Sequence, residues 1–172
     1  MLQTYLSLLD TQADRDKFTV LYRQYRDLMF YIAQKYLESD ADREIAVDAA
    51  LHALLPAMDR IDDPLSARTK NLAALVTKNK CIDLLRKRGA VKEEELDEAV
   101  ERVLTPKPQG AGSLADAIAS MSETGREVIL LRYYHGYTTR EIGKILGISW
   151  QASRKRLERA KAELKAILEE EG

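Results

Sequence analysis

The chain has 172 residues, enough for one ordinary domain or two small ones, and 45% are hydrophobic, enough to fill a packed core. A formal net charge of −1 excludes no partner class, whereas the single cysteine, Cys81, excludes an internal disulfide framework. No run approaches the ~20 apolar residues of a membrane span, and the start MLQTYLSLLDTQADRDKF lacks a basic lead into an apolar core, so a cytoplasmic chain with no membrane contact is expected.

Only eight glycines and four prolines interrupt apolar residues at helical spacing, which predicts an all-α fold. Phe18, Leu21, Tyr22, Tyr25, Leu28, Met29, Ile32 and Tyr36 form one stripe at steps of three and four, the buried side of a first long helix. Ser39 or Asp40 either ends that helix or caps the next, whose inner face is expected to be Ile45, Ala49, Ala50, Leu54, Ala57, Met58 and Ile61. Pro56 within it predicts a kink or an early break. Asp62-Asp63-Pro64 makes a turn in which Pro64 suits a first helical position, and Leu72, Leu75, Val76, Ile82 and Leu85 form the core side of a third helix.

The character changes after residue 89. Glu93, Glu94, Glu95, Asp97, Glu98 and Glu101 form an acidic run, followed by Pro106, Pro108, Gly110 and Gly112. This reads as a flexible linker over residues 90–112, between small helical domains at 1–89 and 113–172. Extended at ~3.3 Å per residue it reaches ~75 Å, about two turns of B-DNA. Beyond it, Ser113 is expected to cap a short helix through Met121. Ser122 with Glu123 starts another, which carries Val128 to Tyr134 and stops near Gly136.

Charge is segregated along the chain. From Arg68 to Arg88 seven Lys or Arg residues stand against one Asp, and from Tyr137 to Lys165 eight stand against three acids. Two basic helical segments suggest two nucleic-acid contacts, with solvated basic faces as the competing reading. The second segment contains TTREIGKILGISWQASRKRLERAKAEL, Thr138 to Leu164. Thr138 or Thr139 caps a short helix with Ile142, Ile145 and Leu146 inward. Gly147 makes the turn, Ile148 plugs the angle, and Ser149 caps a second helix burying Leu157, Ala160 and Leu164. These are the parts of a helix-turn-helix. Its recognition helix presents Gln151, suited to adenine, and Arg154, suited to guanine, with further cations for phosphates.

The block from Leu114 to Leu164 resembles the upstream-element-binding domain of bacterial sigma factors, most nearly the small extracytoplasmic-function type. FTVLYRQYRDLMFYIAQKYL and DDPLSARTKNLAALVTKNKCIDLLRKR resemble that family's core-binding and promoter-melting domain. The resemblance implies a dissociable specificity subunit of RNA polymerase rather than an enzyme. Its first domain would clamp a coiled coil of the largest polymerase subunit and capture the melted −10 strand. Its second would bind the polymerase flap and read the −35 duplex, and an anti-sigma factor becomes a possible partner. For strand capture the family pattern implies Asn79, Asp83, Arg86 and Arg88, in a basic stretch with Lys70, Lys78, Lys80 and Lys87. For duplex reading it implies Gln151, Arg154, Lys155 and Arg156, flanked by Thr139, Ser149, Trp150 and Arg159. The polymerase-binding stretch REIAVDAALHAL supplies Glu44, Val47, Asp48, Ala50 and Leu51.

Five positions depart from the family pattern. Val47 and Ala50 stand where a Gln and a Phe are usual, so altered core affinity is expected. Leu72 replaces an aromatic residue that would stack on an unpaired base, worth ~1–3 kcal/mol. Ser153 takes an apolar inward position, where its hydroxyl can bond the carbonyl one turn back. Trp150 takes a usually polar position, either packing on the neighbouring helix or touching a thymine methyl.

Other chemistry finds little support. His52 and His135 neighbour no cysteine, so no zinc site is expected, and no phosphate loop or nucleophile motif is present. Cys81 reads as a buried small apolar residue, and Tyr22, Tyr25, Tyr31 and Tyr36 as core and rim of one helix. The acidic run reads as a solvated face, and no cofactor or small-molecule ligand is expected. Two rival functions stay open: a stand-alone helix-turn-helix regulator, and a sigma-like decoy with weakened initiation activity.

Overall fold

The computed structural model describes residues 2–89 and 114–171, so the linker expected at 90–112 and the cap expected at Ser113 lie outside the described residues. The chain divides into two compact units, Met1–Val100 and Glu101–Gly172. Among the described residues there are eight α-helices and no strands, and no helix is long and apolar enough to cross a membrane.

The first unit contains α1 (Leu2–Leu6), α2 (Gln12–Tyr36), α3 (Asp40–Leu54) and α4 (Ala67–Lys87). Hydroxyl caps start the three long helices. Thr11 accepts from the Asp14 N–H, Ser39 from Asp42, and Ser66 from Thr69, at 3.1 to 3.2 Å. Ser66, rather than Pro64, therefore opens α4, and Pro64 lies in the turn before it. Pro56 has the expected effect: α3 ends at Leu54 and the chain tightens into a 3-10 turn over Leu55–Arg60.

The α2 stripe is buried through Phe18, Leu21, Tyr25, Met29 and Ile32. The face of α3 differs from expectation. Ala46, Val47, Ala50, Leu51 and Leu54 turn inward, and Ile45 is half exposed at 50%. Apolar residues surround much of α3, so its own pattern chooses no face; packing on α2 and α4 selects the arc with the best-spaced side chains. α1 was not foreseen. Its Tyr5 is buried among Phe18, Tyr22 and His52, ring centroids 5.1 to 6.2 Å away, and its hydroxyl donates to Asp48.

The second unit contains α5 (Leu114–Ala119), α6 (Glu123–Ile129), α7 (Thr139–Leu146) and α8 (Trp150–Glu171). α8 is its spine, packing on the other three. Ser122 caps α6 through the Gly125 N–H at 3.2 Å. Glu163 reaches across from α8, accepting from the Ser122 N–H at 2.5 Å and the Ser122 hydroxyl at 2.9 Å. This carboxylate sits at the positive end of α6 and ties it to α8. Gly125 leaves room for it, because an added Cβ would lie 2.6 Å from the Glu163 carboxylate. After Ile129 the helix widens into a π turn over Leu130–Tyr134, with the His135 N–H donating to the Leu130 carbonyl five residues back.

Candidate nucleic-acid interface

α7 and α8 build the helix-turn-helix. Thr138 caps α7 in a reciprocal box: its hydroxyl accepts from the Glu141 N–H at 3.2 Å, and the Glu141 carboxylate accepts from the Thr138 N–H at 3.0 Å. Ile142, Ile145 and Leu146 are buried as their spacing requires, each contributing ~1.5–3 kcal/mol of apolar burial. Gly147 takes the left-handed conformation, φ 69°, and the Ile148 N–H returns to the Gly143 carbonyl at 2.9 Å. Gly143 is a second steric requirement that the sequence did not disclose. A Cβ there would meet the Ile148 carbonyl oxygen at 2.9 Å, so the turn closes only over a bare backbone.

Ser149 accepts from the Ala152 N–H at 3.1 Å and starts α8, which buries Leu157 and Ala160 against the unit. Gln151, Arg154, Lys155 and Arg159 are exposed, Ser149 is exposed before them, and Arg156 is half-buried. Ser153 is fully buried, and its hydroxyl donates to the Thr139 carbonyl at 2.7 Å. It therefore bonds across to α7 and not one turn back within its own helix. Thr139 receives a second anchor, as the Trp150 indole N–H donates to its hydroxyl at 3.1 Å. Trp150 is half-buried, and two guanidinium carbons lie near its ring, Arg140 at 4.6 Å and Arg154 at 5.0 Å from the centroid. Arg140 had no place in the set read from the sequence. The contact joins two helices, and no spacing along one helix encodes it.

The basic stretch of α4 is placed differently. Lys70, Arg86, Lys87 and Arg88 are exposed, whereas Lys78 and Asn79 are buried, at 1% and 7% exposure. Asn79 spends an amide N–H on the Leu75 carbonyl at 2.9 Å, and Lys78 is also partnered. Lys80 is half-buried, and burial pulls its ammonium below the usual value against the opposing pull of Asp83. Asp83 pairs with Lys87 at 3.3 Å. Arg88 forks onto Asp42 at 2.8 and 2.9 Å, joining the end of α4 to the start of α3. Leu72 is buried at 2%, so this position belongs to the core and offers no face for a base.

The stretch expected to bind polymerase splits in the same way. Val47, Ala50 and Leu51 are buried at 2% or less and face the interior of their own unit. Glu44 is exposed, and Asp48 is half-buried under the Tyr5 hydroxyl. The departures at Val47 and Ala50 are thus changes of packing and not gaps in an exposed surface. The second unit also carries an apolar groove of about 370 Å³ between Ile129 and Tyr133 on one side and Leu164 and Leu168 of α8 on the other, with Lys161 and Lys165 at its rim.

Residues 21–91 match the family model described as Sigma-70 region 2, and residues 111–164 match that described as Sigma-70, region 4, together most of the chain. No curated protein matches the chain. Among solved structures, that of CnrH in complex with the cytosolic domain of CnrY is 24% identical and covers 90% of this chain and 89% of that chain, with a TM-score of 0.37.

Proposed function

This chain belongs to the sigma-70 family, whose members direct RNA polymerase to promoters, and on that premise we propose that it is a two-domain sigma factor of the extracytoplasmic-function type, acting in the cytoplasm. The observation that carries the reading is the helix-turn-helix of the second unit, capped at both helices, with Gln151, Arg154, Lys155 and Arg159 exposed on one face. These side chains read the −35 duplex, with Ser149 and Arg156 contributing to phosphate contacts. In the first unit the exposed cations Lys70, Arg86 and Lys87 attract the melted −10 strand. Lys78, Asn79 and Leu72 shape the helix that presents them. Glu44 and Asp48 are the members of the polymerase-binding set available to the largest-subunit coiled coil.

We assign the flap to the groove beside Tyr133 and Leu168, which occupies the C-terminal half of α8 and leaves its N-terminal half for DNA. An anti-sigma factor would act by covering these polymerase-facing surfaces. The test mixes the full chain with bacterial core RNA polymerase, measures co-elution, and then transcribes a library of promoter fragments. Co-elution with selective initiation is the expected result. Duplex binding without core association would overturn the reading in favour of a stand-alone regulator. Core binding without initiation at any promoter would overturn it in favour of a decoy. Leu168→Glu is expected to weaken retention on core at least tenfold without moving the DNA preference, because it places an unpaired charge in an apolar contact.

A further inference from the structure

Arg140 and Arg154 carry like charge, yet both lie within 5.0 Å of one ring centroid at the mouth of the helix-turn-helix. Among the described residues neither is paired with a carboxylate, so the electron-rich face of Trp150 is what holds them. The ring itself is fixed. Its N–H is bound to the Thr139 hydroxyl at 3.1 Å, and the Ser153 hydroxyl beside it binds the Thr139 carbonyl at 2.7 Å. Arg140 is the second residue of α7, the helix that crosses the backbone in such motifs. Arg154 stands one turn into α8, exposed at the edge of the face that buries Leu157 and Ala160. Two cations gathered on one ring make a local concentration of positive charge that a polyanion would relieve.

We propose that Trp150 is a positioning residue that holds Arg154 aligned for a guanine edge and Arg140 for the adjacent phosphate, without itself touching DNA. The inference rests on the sigma reading and adds to it a division of labour within one three-residue cluster. An aromatic plate restricts the rotamers of both arginines before DNA arrives, so less side-chain entropy is lost on binding. Arg154 then supplies base discrimination, while Arg140 supplies affinity that falls with salt.

The test uses holoenzyme reconstituted from core polymerase and the full chain, on a duplex promoter library randomised across the upstream element. W150F, W150L, R154A, R140A and the W150L/R154A double variant are compared. W150F keeps an aromatic face and is expected to retain base preference within about twofold. W150L keeps apolar bulk without that face and is expected to lose about tenfold preference at one position, the same position lost in R154A, with no further loss in the double variant. R140A is expected to weaken all sequences equally and to lower the salt slope by about one counterion. Full preference in W150L, equal losses in W150F and W150L, or a W150L loss at a different position from R154A would each overturn the inference. A wild-type chain that never initiates with core would defeat the proposed function itself, whereas a wild-type chain that initiates alongside an unchanged W150L defeats the inference alone.

Discussion

α4 and α8 look alike as sequences: both are long helices crowded with lysine and arginine, separated from each other by an acidic stretch. As structures they differ. α8 uses one side to pack and turns Gln151, Arg154, Lys155 and Arg159 to solvent. α4 is buried continuously from Leu72 to Asn79, so Lys78 is an interior residue and only the ends of the helix present cations. Basic charge in a sequence marks nucleic-acid binding only where packing leaves the charge outside, and a helix at the centre of a bundle has little outside to offer.

The comparison is most directly broken by exchanging one lysine in each helix. Lys78→Ala is expected to cost about 3 kcal/mol, because it removes most of a fully buried side chain and leaves a cavity. Lys155→Ala, at an exposed position, is expected to change stability by less than about 0.5 kcal/mol. Urea unfolding followed by far-UV circular dichroism measures both. Equal effects would erase the distinction between the two helices.

Trp150 is the only tryptophan, so its fluorescence reads the second unit. Gly143→Ala is expected to lower the fluorescence midpoint by an amount equivalent to about 2 kcal/mol, since the new methyl meets backbone and not a side chain that can swing away. Glu163→Ala is expected to cost about 1 kcal/mol on the same probe, the usual scale for losing a helix cap. If neither moves the midpoint, α8 is not the spine of its unit.

A further expected effect is a pH slope. Burial pushes the Cys81 thiol up to about 12, whereas an unfolded cysteine titrates near ~8.5. The folded chain therefore keeps a proton that the unfolded chain releases, and stability present below about pH 8.5 is lost progressively as pH rises towards 12. Tyr5 and Tyr25, raised chiefly by burial, act with the same sign, and Lys80, lowered by burial, acts with the opposite sign. Comparison with Cys81→Ala isolates the thiol: its midpoint is expected to fall less steeply between pH 9 and pH 12. An unchanged slope would mean that the thiol is solvated in the folded state.

Much of the second unit was legible because its signals are local. A threonine followed three residues later by glutamate, an apolar triplet at helical spacing, and a glycine before the next cap each act within one turn of chain, and Thr138, Ile142 and Gly147 do what their positions require. The face of α3 was not legible. Its stretch EIAVDAALHAL is apolar on several sides, and expectation set Ile45 inside while assigning Val47 and Leu51 to a partner. Ser153 failed for a related reason, because its acceptor lies on α7, fourteen residues earlier in the chain.

By itself the sequence determined the helical class, the caps that open α3, α6, α7 and α8, the break at Pro56, the helix-turn-helix and the resemblance to the sigma family. All of these follow from interactions between residues a few positions apart. Only the tertiary structure decided which arc of α3 is interior, which lysines of α4 reach solvent, and that Arg140 and Arg154 meet over Trp150. Each of those depends on which helix packs beside which, and burial belongs to a pair of surfaces, so no single segment encodes it.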